Sequence, residues 1–122
     1  MKTVLVVDDS KIMRNIVKNT FGVLKIPCNF IEAGDGEEAL RMLIENPVDL
    51  VLLDWNMPKL SGIDFLQKVR AVEKYKTLPI IMVTSESAKF NVIQAHKLGV
   101  TDYIIKPFNE KIFMEKLSGI TF

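Results

Sequence analysis

Four short apolar runs in this chain end on residues able to do chemistry. Val4 to Val7 runs into Asp8-Asp9, and Val48 to Leu53 into Asp54. Ile80 to Val83 runs into Thr84, and Tyr103-Ile104-Ile105 into Lys106. Brought together, the carboxylates would repel: two unit charges about 4 Å apart cost roughly 4 kcal/mol at an effective dielectric of about 20. One lysine is too little to offset three acids. A divalent cation with oxygen ligands is the natural complement, and a few carboxylates plus water suit Mg²⁺. No histidine or cysteine adjoins these positions to argue for zinc. A carboxylate beside such a cation is also a nucleophile toward phosphorus, giving an aspartyl phosphate. Lys106 would neutralise the phosphoryl oxygens and Thr84 would donate a hydrogen bond to them.

Whether these residues meet depends on the elements that carry them. Unbroken apolar runs of this length suit strands buried on both faces, as in parallel sheets. Asn29 to Ala33 mixes polar and apolar residues and is placed at a sheet edge. Between the runs lie helical stripes. Ser10 is an N-cap ahead of Ile12, Met13, Ile16, Val17, Phe21 and Leu24. Asp35-Gly36-Glu37-Glu38 reads as a variant capping box before Ala39, Leu40, Leu43 and Ile44. Ser61 with Asp64 starts a third helix bearing Ile63, Leu66 and Val69. Phe90, Val92, Ile93 and Leu98 mark a fourth, stopped by Gly99. Asn109 caps a fifth, with Ile112, Phe113 and Leu117 inward. The Met and Phe residues of these helices are assigned to the core.

Five β-α repeats in strict alternation imply an α/β fold: a doubly wound parallel sheet, helices on both faces, right-handed crossovers. Parallel strands share one carboxyl edge, where such sheets bind ligands. Asp8, Asp9, Asp54, Thr84 and Lys106 all fall on that edge. Helix capping could explain one of the three acids; it explains the whole set poorly, and clustered charge in a cleft points to function.

Composition narrows the classes. The chain has 122 residues, 48% of them hydrophobic and 25% charged, with a net charge of +1. That is the size and mixture of one globular domain, 1–122, with no room for a separate output domain. The charge balance argues against a dedicated nucleic-acid binder. No run nears the roughly 18 apolar residues of a membrane span, and the N-terminus lacks a secretory pattern. A cytoplasmic location is expected, consistent with the lone Cys28, read as a small buried hydrophobe. His96 reads as a surface residue and Gly34-Asp35-Gly36 as too short for a nucleotide loop. Trp55 adjoins the acids with no chemical role and should report on a bound cation. Lys89, Lys97, Lys111 and Lys116 form either a solvated face or a docking patch.

Asp8-Asp9, Asp54-Trp55-Asn56-Met57-Pro58, Thr84, Tyr103 and Lys106-Pro107-Phe108 together resemble the response-regulator receiver family, especially its stand-alone chemotaxis type. The likeness spans essentially the whole chain. It implies a flavodoxin-like strand order 2-1-3-4-5, in a family that serves as a standard illustration of that order. It implies Asp54 as phosphoacceptor from a sensor histidine kinase. Asp9, Asp54 and the Asn56 backbone carbonyl would hold Mg²⁺ directly, and Asp8 through water. Lys106 would pair with the phosphoryl group, Thr84 would move toward it, and Tyr103 would turn inward. The face of the fourth helix, fifth strand and fifth helix would then change for a partner, such as a flagellar switch component or a phosphotransfer protein. Asn56 and Glu86 would tune dephosphorylation, the Lys106-Pro107 bond would be cis, and Ser85 would replace the usual Ala. The result would be a monomeric switch that assists its own phosphorylation and dephosphorylation but is no enzyme. The alternatives are a relay intermediate or a Mg²⁺-dependent phosphohydrolase with an Asp nucleophile; in the latter class the position of Asn56 is an Asp acting as general acid/base.

Overall fold

A computed structural model describes residues 1–120 of the chain. Strands β1 (Lys2–Val7), β2 (Cys28–Ala33), β3 (Leu50–Leu53), β4 (Ile80–Thr84) and β5 (Asp102–Ile105) alternate with five helices. These are α1 (Lys11–Val23), α2 (Gly36–Glu45), α3 (Gly62–Arg70), α4 (Lys89–Lys97) and α5 (Glu110–Ser118). All strand pairings are parallel, in the order β2-β1-β3-β4-β5. The expected α/β architecture and strand order are both present, with the mixed strand β2 at an edge.

Side-chain alternation along the strands divides the core in two. Val4, Val6, Leu50, Leu52, Ile81, Val83 and Ile104 pack with Val17 and Phe21 of α1 and Phe113 and Leu117 of α5. Leu5, Val7, Val51, Leu53, Ile80 and Met82 pack on the other face with α2, α3 and Ala95 of α4. On the first face Phe21 meets Phe30 and Phe113 edge-on, at centroid distances of 5.3 and 5.4 Å. These are favourable aromatic geometries that hold α1 and α5 to one another and to the sheet.

The helix starts follow their caps. Ser10, Asp35, Ser61 and Asn109 each accept a hydrogen bond from the backbone N–H three residues on. Glu38 completes its box by accepting from the Gly34 N–H rather than from Asp35 itself. Gly99, at φ +99°, follows the end of α4.

Several packing expectations are corrected. Strand β3 begins at Leu50, not Val48: both the N–H and the carboxylate of Asp49 are engaged with the Thr3 backbone. Ile12 and Ile16 are exposed, while Thr20 takes a buried place on α1. Its hydroxyl donates to the Ile16 carbonyl at 2.8 Å, so burying it strands no polar group. Ile44, Ile93 and Ile112 also face outward, as do Phe90 and Met114, against their assignment to the core. Phe65, by contrast, is fully buried, as that assignment expects. Each helix covers the sheet with one stripe, and the apolar residues exceed the width of that stripe. Cys28 is half-buried rather than buried, and burial raises its thiol pKa, so it is a poor nucleophile.

Close packing also sets the loop after β3. A Cβ on Gly62 would lie 2.0 Å from the Asp54 carbonyl oxygen, and the Gly62 N–H donates to the Trp55 carbonyl at 2.8 Å. Helix α3 can begin this close to Asp54 only with glycine there. Gly62→Ala should therefore lose at least about 1–3 kcal/mol of stability, the usual range for overpacking. Gly22→Ala, where nothing lies within 4 Å of the new methyl, should gain up to about 1 kcal/mol from helix propensity. Urea unfolding of the two variants checks both signs.

Candidate acidic phosphoacceptor site

Strand register brings the acids together. Val7 pairs with Leu53, and the Asp54 N–H donates to the Val7 carbonyl at 2.9 Å, so Asp8 and Asp54 emerge side by side. Thr84 pairs with Ile105 on the next strands, and the Lys106 N–H donates to the Thr84 carbonyl at 2.8 Å. One edge thus carries all five of these polar residues, at the ends of four strands. Asp8, Asp9 and Asp54 each offer a carboxylate oxygen within 4.8 Å of the others. Asp8 and Asp54 are buried and Asp9 is exposed, which leaves the cluster open to solvent on one side.

Lys106 bridges two of the acids. Its Nζ lies 2.8 Å from Asp8 Oδ2 and 3.3 Å from Asp54 Oδ2. Burial alone would lower the lysine pKa; the hydrogen bond to Asp8 and the charges of Asp54 and Asp8 outweigh it and raise the pKa. The amine is therefore held cationic. The remaining carboxylate oxygens bond to backbone: Asp8 Oδ1 accepts from the Ser10 N–H at 2.9 Å, and Asp54 Oδ1 from the Trp55 N–H at 2.7 Å. Among the described residues no lysine or arginine is paired with Asp9. Three acids against one ammonium is a hard-oxygen set with a charge deficit, which fits a divalent cation.

Thr84 is completely buried, and its Oγ accepts from the Glu86 N–H at 3.3 Å, leaving its own hydrogen to donate. Tyr103, placed by the resemblance as an aromatic that turns inward, is buried here. Its hydroxyl donates to the Glu86 carbonyl at 2.6 Å. Asn56 and Glu86, paired by the sequence only through their offsets from Asp54 and Thr84, touch directly. Asn56 Nδ2 donates to Glu86 Oε1 at 2.8 Å, and Asn91 Nδ2 donates to Oε2 at 3.2 Å. The sequence reading missed Asn91, because a polar residue on a short helix has no distinguishing pattern. It also missed Arg14, whose Nη1 donates to the Asp8 carbonyl. The Lys106-Pro107 bond is cis, as expected.

The face made by α4, β5 and α5 differs from a uniform lysine patch. Lys89, Lys97 and Lys111 are exposed, whereas Lys116 pairs with Asp102 at 3.1 Å. Between them stand Phe90, 75% exposed, and the exposed Ile93, Ile105, Ile112 and Met114. Only Ala95 of α4 is buried, and Ala88 gives that helix no side-chain cap. Helix α4 is thus the helix least anchored to the sheet.

Burial, and behind it the charges of Glu86 and Asp54, push the Tyr103 phenol from 10.0 up to about 12. A folded-state pKa above the unfolded one means that the native chain holds its proton longer. The stability this provides is complete below about pH 10 and is lost as pH rises toward about 12. Ultraviolet titration of wild type minus Tyr103→Phe should show one phenol ionising near the upper value.

Residues 4–118 match the family described as response regulator receiver domain. The chain is 47% identical over 117 residues to a chemotaxis protein CheY homolog of Campylobacter jejuni, covering 95% of this chain and 89% of that one. The structure of chemotaxis protein CheY4 of Vibrio cholerae superposes with a TM-score of 0.88 at 32% identity, over 99% of each chain. The Mn²⁺-bound form of response regulator Rcp1 superposes with a TM-score of 0.83 at 28% identity, over 98% of this chain and 91% of that one. With the family model matched over residues 4–118 and a relative 47% identical over 95% of the chain, the chain belongs to the response-regulator receiver family.

Proposed function

We propose that the chain is a stand-alone phosphorylation switch in chemotaxis or motility signalling, with Asp54 as phosphoacceptor. The observation that carries this reading is the cluster of Asp8, Asp9 and Asp54 with Lys106 bridging two of them. In the proposed step an Asp54 carboxylate oxygen attacks the phosphorus of a kinase phosphohistidine. The new O–P bond forms as the P–N bond breaks, its electron pair remaining on the imidazole nitrogen. Asp9, Asp54 and the Asn56 carbonyl would hold Mg²⁺ directly, with Asp8 through water, and the ion would supply the positive charge that an anionic donor needs at this acidic edge. Lys106 and the Thr84 hydroxyl hold the transferred phosphoryl oxygens. The donor set of oxygens favours this ion, and a relative bearing Mn²⁺ supports a divalent site in the family.

Readout runs through the loop after β4. Thr84 Oγ holds the Glu86 N–H, and Tyr103 holds the Glu86 carbonyl. A phosphoryl group that draws the Thr84 hydroxyl therefore acts on Glu86, the residue whose carbonyl seats Tyr103 and which leads into α4. Phosphorylation would shift the population of two arrangements of the α4-β5-α5 face. Its exposed apolar residues amid lysines suit a protein target, such as a flagellar switch component or a phosphotransfer protein. A phosphohydrolase reading is disfavoured. The position two residues past Asp54 is Asn56, whose amide is engaged by Glu86 and has no acid–base function.

Incubation with a small phosphoramidate and Mg²⁺ should add one phosphoryl group by intact mass and change Trp55 fluorescence. The addition should vanish in Asp54→Asn and with EDTA. A folded wild type that gains no mass would refute the switch. Replacing Asn56 and Glu86 together by bulkier or basic residues should change the decay rate of the phosphoryl group. Decay unaltered in that double variant would remove these two residues from the path of the attacking water.

A further inference from the structure

We propose that Arg14 is a positioning residue for the cation site, aiming Asp9 by clamping the peptide that joins it to Asp8, with Glu32 as its anchor. This rests on the reading of the acidic edge as a Mg²⁺ site. The Asp9 carboxylate is exposed and, among the described residues, paired with no cationic side chain, so its direction follows its backbone. The carbonyl of Asp8 and the N–H of Asp9 belong to one planar peptide unit. Arg14 Nη1 donates to that carbonyl at 2.5 Å. The Nε of Arg14 donates to Glu32 Oε1 at 2.9 Å, and Lys18, one turn further along α1, donates to Oε2 at 2.9 Å. The Asp8 N–H is itself tied to the Ala33 carbonyl at 3.1 Å. The turn between β1 and α1 is therefore held from both sides by the end of β2, and Arg14 is the strap across it.

Electrostatics alone would act in the opposite direction. A cation beside an acidic site repels Mg²⁺, so removing Arg14 would tighten binding. The ion pair with Glu32 weakens that repulsion, and the two effects differ in sign and in ion dependence. Mg²⁺ demands near-ideal octahedral placement of its ligands, whereas Ca²⁺ accepts looser geometry. Charge acts on both divalent ions alike. Arg14→Lys keeps the charge but replaces a rigid two-pronged fork by a single ammonium. Arg14→Met removes both charge and fork.

The test titrates the full chain with Mg²⁺, and separately with Ca²⁺, following the fluorescence of Trp55, whose backbone N–H donates to Asp54. Urea unfolding in EDTA shows that each variant is folded. Both Arg14 variants should bind Mg²⁺ about tenfold more weakly, in the usual range for removing a residue that orients ligands, with a smaller change for Ca²⁺. Glu32→Gln, on the edge strand, should shift the Mg²⁺-to-Ca²⁺ ratio in the same direction and serves if an Arg14 variant does not fold. Unchanged Mg²⁺ affinity in folded variants, tighter binding in Arg14→Met, or parallel shifts for both ions would overturn the proposal. A wild type that binds no Mg²⁺ would overturn the metal reading itself, before any variant is compared.

Discussion

Like-charge repulsion at the carboxyl edge is the constraint around which this molecule is organised. Asp8, Asp9 and Asp54 converge there because parallel pairing in register leaves them no other place. One ammonium, Lys106, lies between two of them, from a position 98 residues away from Asp8 in the chain. The fold must supply the rigidity that keeps the acids together against their repulsion. It does so with a sheet packed on both faces and with backbone donors aimed at Asp8 and Asp54. What remains uncompensated is a deficit of positive charge on the solvent side, and that deficit makes the site receptive to a cation.

Rigidity is not evenly spread. Helices α1 and α5 are held by interlocked phenylalanines, and α3 starts against the Asp54 carbonyl through Gly62. Helix α4 has one buried residue and no side-chain cap. The stable elements hold the chemistry, and the least anchored helix adjoins it through Glu86 and Asn91. A segment that must change arrangement is expected to come from the low-stability end of a fold. Phe90, in its first turn, stands 75% exposed.

Much of the site was legible because its residues end apolar runs. A strand that stops on Asp, Thr or Lys has announced both its boundary and its edge, and local caps such as Ser10, Asp35 and Asn109 did the same for helices. Burial was less legible. Phe90, Met114 and Ile44 look like core by type, yet the sheet offers each helix only one stripe of contact. Thr20 looks like surface, yet its hydroxyl is satisfied within its own helix. Asp49 looks like strand, yet its carboxylate takes a backbone N–H.

The sequence by itself determined the alternation of elements, and with it the convergence of Asp8, Asp9, Asp54, Thr84 and Lys106, because strand direction and the chirality of crossovers leave little freedom. Only the tertiary structure decided how those groups are held. The bridge by Lys106 to Asp8 and the bond from Asn56 to Glu86 join side chains 98 and 30 residues apart, while Arg14 reaches a backbone carbonyl six residues back and Asn91 a carboxylate five residues back, each across a turn. Their partners are chosen by distance and orientation after folding, and no local pattern of residue types encodes that choice.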